Sequence, residues 1–180
     1  MSALRVRTTR ADDTRALARA LAPVLRAGDL LVLDGPLGAG KTTFTQGLGD
    51  GLGVRGRVAS PTFVISRVHP PLGDGPALVH VDAYRLGDGA DIEDLDLEAD
   101  LDDAVTVIEW GRDRVEHLAD SRLLIELHRP AQVDDLEDPD EPREIVLETV
   151  GPRWDETARA ALRDALAAVD GADVAAGEES

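Results

Sequence analysis

The 180-residue sequence has no cysteine, which excludes disulfides, Cys-based zinc sites and a thiol nucleophile. No apolar run approaches the length of a membrane span, and Met1–Asp13 has no apolar stretch of the secretion-signal kind. A soluble cytoplasmic protein is therefore expected. Basic residues are few: Lys and Arg number 19 against 36 Asp and Glu, a formal charge of −17. Such a surface repels polyanions, which argues against tight binding of DNA or tRNA by this chain alone. No G-x-S-x-G elbow is present, so a serine hydrolase triad has no support. The four histidines (His69, His80, His117, His128) show no metal-ligand spacing, and His80 reads as a strand residue. Lysine is scarcest of all. Lys41 is the only one, and every other strongly basic side chain is Arg.

That lysine stands in Gly35-Pro36-Leu37-Gly38-Ala39-Gly40-Lys41-Thr42, a full match to the phosphate-loop pattern G-x-x-x-x-G-K-[ST]. A compact ammonium can reach between two phosphates inside a tight loop, where the planar fork of Arg is too bulky. Leu30-Leu31-Val32-Leu33 before the loop reads as a buried parallel strand, and Thr42-Thr43 onward as a helix ending near Gly51 and Gly53. Strand, loop and helix N-terminus aim backbone N–H groups and a helix dipole at phosphate oxygens. The chain is expected to bind a nucleoside triphosphate.

Around this unit, Leu4–Thr8 alternates like a short edge strand, and Thr9–Arg26 carries a helical pattern with Leu17, Leu21, Val24 and Leu25 on one face. Phe63–Val68 and Ala77–Asp82 read as a hairpin across a Pro/Gly-rich turn, Val105–Glu109 as a further strand, and residues 112–119 as helical. Leu123–Leu127 and Glu144–Glu148 pair as antiparallel strands. Trp154–Val169 is an amphipathic helix in which Trp154 packs, and 170–180 reads as a disordered tail. The expected fold is α/β, a P-loop sheet parallel at its centre and antiparallel at its flanks, with helices on both faces. Residues 1–152 would form the P-loop nucleotide-binding domain and 153–169 a C-terminal helix packed on or extending it. Nine carboxylates lie between Asp88 and Asp103 with no basic residue, and seven more between 134 and 144. They read as solvated surface, with a docking face for a basic partner as the alternative for the first run.

Hydrolysis needs a metal and a positioned water beyond the loop. Thr42 offers a hydroxyl to Mg²⁺. Asp82 and Glu109 each end an apolar strand, at the edge where a parallel sheet opens onto ligand. One could hold the metal and the other the attacking water, and spacing alone leaves open which does which. Thr62, in Ser60-Pro61-Thr62-Phe63, reads as part of a turn.

The strings GPLGAGKTT (Gly35–Thr43), SPTF (Ser60–Phe63), HVDAYRL (His80–Leu86) and VIEWG (Val107–Gly111) occur here in the order found in the bacterial TsaE family, which this chain resembles over roughly residues 4–150. The resemblance implies a Mg²⁺-dependent ATPase that assists formation of N6-threonylcarbamoyladenosine in tRNAs reading ANN codons. It implies ATP turnover that is weak alone, activated by the TsaB–TsaD complex and resetting that complex, with tRNA engaged only through it and neither DNA nor membrane involved. By position, the resemblance puts Gly35, Leu37, Gly38, Ala39, Gly40 and Thr43 around the phosphates and Lys41 on the β/γ-phosphates. It makes Thr42 a metal ligand, Thr62 a switch threonine, Asp82 the metal-side acid and Glu109 the catalytic or water-ordering acid on the metal side of the site. Trp110 would belong to the nucleotide site. The chain departs from the family pattern after SPTF, where Arg67 and His69 precede a Pro/Gly-rich turn. The enzymatic rival is a small P-loop kinase using Arg112 or Arg114 on a lid. A GTPase is disfavoured because an [N/T]-K-x-D motif needs a second lysine.

Overall fold

The structure is a computed structural model and describes residues 3–61, 65–85, 102–129, 142–169 and 173–176. Along the chain these form β1 (Ala3–Thr8), α1 (Ala11–Leu21), β2 (Leu30–Asp34), α2 (Lys41–Leu52), β3 (Ser66–His69), β4 (Ala77–Asp82), β5 (Ala104–Glu109), β6 (Arg122–His128), β7 (Arg143–Val150), α3 (Glu156–Ala167) and β8 (Asp173–Ala176). The strands make one eight-stranded sheet in the order β3-β4-β5-β2-β6-β7-β1-β8. Pairing is parallel through β4, β5, β2 and β6 and antiparallel outside them.

The central strands read as continuous apolar runs because both faces are covered. In β2, Leu31 and Leu33 join Phe44, Leu48, Leu17, Leu21, Leu162 and Leu166 in the larger core, beneath all three α-helices. Leu30 and Val32 point the other way, into a smaller core with Val79, Val81 and Ile108. That face is closed by Val115, Leu118 and Ala119. The segment expected to be helical at 112–119 supplies this cover with turns and a 3₁₀ helix, Glu116–Leu118. Helices α1 and α2 cross so closely that a Cβ on Gly47 would run into the backbone of Arg15.

Three terminal features depart from the sequence reading. Helix α1 starts at Ala11, where Asp13 Oδ2 accepts from the backbone N–H groups of Thr9 (3.1 Å) and Arg10 (2.9 Å). It ends at Leu21 and gives way to a 3₁₀ turn, Ala22–Val24, because Pro23 has no N–H to continue the ladder. Strand β1 is interior, pairing with β7 on one side and β8 on the other. The stretch expected as a disordered tail therefore contains a strand, whose Asp173–Ala176 backbone satisfies the donors that β1 would otherwise expose. Helix α3 is capped by Asp155, which accepts from the Ala158 N–H at 2.8 Å, and Trp154 before it is buried.

The lower edge of the sheet is tied by an ion pair between the buried Asp29 and the partly buried Arg153. Arg153 donates from Nε to Asp29 Oδ1 (2.8 Å) and from Nη2 to Oδ2 (2.9 Å) and to the Val24 carbonyl (2.9 Å). The opposite edge carries the C-terminal ends of β4, β5, β2 and β6, and there the chemistry-bearing residues gather.

Candidate nucleotide site

The loop between β2 and α2 wraps tightly against the end of β6. Gly35 adopts φ +143°, and a Cβ there would collide with the Leu127 carbonyl oxygen, so only glycine fits. Gly40 caps α2 in the left-handed region at φ +102°, and Lys41 and Thr42 open the helix. Lys41 is buried, at 5% exposure. Its Nζ donates to the loop carbonyls of Gly35 (2.6 Å) and Pro36 (3.1 Å) and lies 3.6 Å from the centre of the Trp110 ring. Burial pushes the ammonium below its usual pKa, while the negative charges of Glu109, Asp34 and Asp82 pull it back up.

Strands β4 and β5 deliver the two acids. Their parallel register sets Asp82 directly beside Glu109. Glu109 is 4% exposed. Its Oε1 accepts from the Thr42 hydroxyl at 3.1 Å and lies 2.8 Å from His80 Nε2. Asp82 is half-buried, and its Oδ1 accepts from the Tyr84 N–H at 3.0 Å. Trp110 follows Glu109 at φ +62°, a conformation rare for a bulky side chain. Its N–H donates to the Leu33 carbonyl at 2.9 Å, which anchors this strained residue to β2. Tyr84 tilts against its ring with centroids 5.2 Å apart.

These groups line a single cleft of about 500 Å³, bounded by the loop from Leu37 to Thr43, by Asp82 and Glu109, and by Ser60, Tyr84 and Trp110. Of the residues expected from sequence, Leu37, Gly38, Gly40, Lys41, Thr42, Thr43, Asp82, Glu109 and Trp110 meet at it. Gly35 shapes the loop from behind, Ala39 is buried beneath it, and Thr62 lies outside the described residues. Tyr84 and Ser60 on the cleft wall, and His80 behind Glu109, were not among the expected site residues. His80 had a usable signal: it stands two residues before Asp82 on a strand, and so on the same face. The arginines of the kinase reading are engaged elsewhere: Arg112 pairs with Glu126, and Arg114 donates to the Ala83 carbonyl at 2.6 Å.

The site fits a magnesium nucleotide. The loop turns through glycines at positive φ (Gly35, Gly38 and Gly40), an ammonium sits within it, and the converging side chains Thr42, Asp82 and Glu109 offer the hard oxygen donors that Mg²⁺ takes. Among the described residues no helix is long and apolar enough to cross a membrane.

Known proteins resemble this chain in sequence and in fold. A family model described as "Threonylcarbamoyl adenosine biosynthesis protein TsaE" matches residues 8–136. A Streptomyces coelicolor protein named tRNA threonylcarbamoyladenosine biosynthesis protein TsaE is 57% identical over 141 residues, covering 78% of this chain and 93% of its own length. The Bacillus subtilis protein of the same name is 38% identical over 157 residues, covering 86% and 91%. The crystal structure of Bacillus subtilis YdiB superposes with a TM-score of 0.69 at 33% identity, covering 91% of this chain and 97% of that one. Loop, acid pair, sheet order and these matches converge on one conclusion: the chain belongs to the TsaE family.

Proposed function

We propose that the protein is a Mg²⁺-dependent ATPase that serves tRNA N6-threonylcarbamoyladenosine formation as an accessory subunit, its turnover activated by, and resetting, a TsaB–TsaD complex. The observation that carries the hydrolytic part is the meeting of Lys41, Thr42, Asp82 and Glu109 in one cleft, with Thr42 and Glu109 in direct contact. The biosynthetic part rests on the names of the relatives, which are tRNA threonylcarbamoyladenosine biosynthesis proteins.

In this reading the loop N–H groups and Lys41 bind the phosphates, whose oxygens take the place of the Gly35 and Pro36 carbonyls around Nζ. Thr42 and Asp82 would hold Mg²⁺, which neutralises developing charge on the phosphates. Glu109 orients the attacking water, its carboxylate kept in a buried site where bulk solvent does not compete. Trp110 and Tyr84 wall the cleft beside the ammonium.

Phosphate release from ATP, measured for the protein alone and with its cognate TsaB and TsaD, tests the proposal. Turnover should be low alone and rise on addition of the complex. If the partners neither bind nor stimulate, and a small phosphoacceptor does, the kinase reading replaces it.

A further inference from the structure

His80 is fully buried on β4, on the sheet face that carries α2. Its register partner on β5 is Val107, two residues before Glu109, so the imidazole reaches along the strand toward the cleft. Nε2 lies 2.8 Å from Glu109 Oε1. Nδ1 is buried and, among the described residues, has no hydrogen-bond partner. An ionised carboxylate only accepts, so the shared proton belongs on Nε2. An unpartnered ring nitrogen in the interior weakens a fold, and an aliphatic side chain like that of Leu78, on the same face of the same strand, would avoid that weakness. The polar side chain gives something an aliphatic one cannot: a hold on Glu109.

Resting on the hydrolytic reading above, we infer that His80 is a positioning residue that fixes the orientation of Glu109. Oε1 takes both bonds, from His80 at 2.8 Å and from the Thr42 hydroxyl at 3.1 Å. Among the described residues, Oε2 has only a 3.5 Å contact with the Thr42 hydroxyl. The carboxylate is thus gripped by one oxygen and leaves the other for water. When the Thr42 hydroxyl serves the nucleotide, the His80 bond is the one that keeps Glu109 in place. The H-x-D spacing on β4 then has a physical sense, since alternate residues of one strand share a face, and this one places Asp82 beside Glu109 and His80 behind it.

The test uses the full-length protein with TsaB and TsaD and three variants. His80→Leu should lower kcat for ATP by about 10- to 100-fold, the size of effect seen when a supporting hydrogen bond to an active-site ligand is lost. Its nucleotide Kd should stay within about threefold of wild type, separating chemistry from binding, and its Tm should not fall. His80→Gln keeps an N–H donor of similar reach and should recover most of the rate; His80→Asn is too short and should not. A readout free of turnover accompanies these: in ¹⁵N-histidine spectra without nucleotide, the His80 Nε2–H should resist solvent exchange in wild type and exchange freely in Glu109→Ala. Unchanged kcat in His80→Leu, or parallel losses of kcat, affinity and Tm without rescue by Gln, would overturn the inference. If His80→Leu does not fold, Gln and Asn decide it, equal rates counting against. A wild-type protein that never turns over ATP sinks the hydrolytic reading and this inference with it, whereas wild-type turnover matched by His80→Leu sinks the inference alone.

Discussion

Asp29 and Glu109 are buried carboxylates at opposite edges of the same sheet, one just before β2 and the other at the end of its neighbour β5. Asp29 is fully answered: both oxygens meet the Arg153 fork, and Oδ2 also accepts from the Arg26 N–H at 3.0 Å. Glu109 has, among the described residues, a hydroxyl and a ring nitrogen and no arginine, and it faces a cleft shared with Lys41. A buried charge with a bidentate counter-charge is a clamp. A buried charge held by weaker donors beside a cation and a cavity keeps capacity for a ligand, which is the physical ground for the role proposed for Glu109.

Either carboxylate can be probed through its cation. Lys41→Ala has the largest expected effect, loss of nucleotide affinity or turnover by at least about 100-fold, read by calorimetry and phosphate release. Retained ATPase activity would sink the loop assignment. Arg153→Ala should cost about 3–5 kcal/mol of stability by leaving Asp29 buried and unpaired, read by denaturant unfolding, with nucleotide affinity unchanged. Replacing both Asp29 and Arg153 by Leu should restore much of that stability, because an apolar pair of similar bulk removes both desolvation penalties. The corresponding double replacement of Lys41 and Glu109 would leave a protein unable to bind nucleotide however stable it is. Trp110→Ala should change nucleotide affinity least, by under about tenfold, since a cation–π contact contributes on the order of 1 kcal/mol.

The site end of the molecule was far more legible in sequence than the clamp end. The loop, the apolar strands and the acids that end them lie within short strings whose spacing maps directly onto one sheet edge, as Lys41, Asp82 and Glu109 illustrate. The hairpin of β3 and β4 and the pairing of β6 with β7 follow from alternation and turn residues in the same way. Arg153 and Asp29 are 124 residues apart, and nothing local in either segment announces the other. Strand β8 was hidden for a similar reason. Asp173-Val174-Ala175-Ala176 has little strand propensity of its own and is extended because β1 offers it a ladder. His80 was legible as a strand residue, but its bond to Glu109 depends on which strand lies beside β4, which only the sheet order reveals.

Glu109→Ala against wild type, with ATP Kd and the kcat of phosphate release measured in the presence of TsaB and TsaD, separates binding from hydrolysis most sharply. If Glu109 positions the water, kcat falls by about 10²- to 10⁴-fold, the contribution of a positioned base, while Kd stays within about threefold. Equal loss of binding and turnover, or turnover that survives, would contradict it.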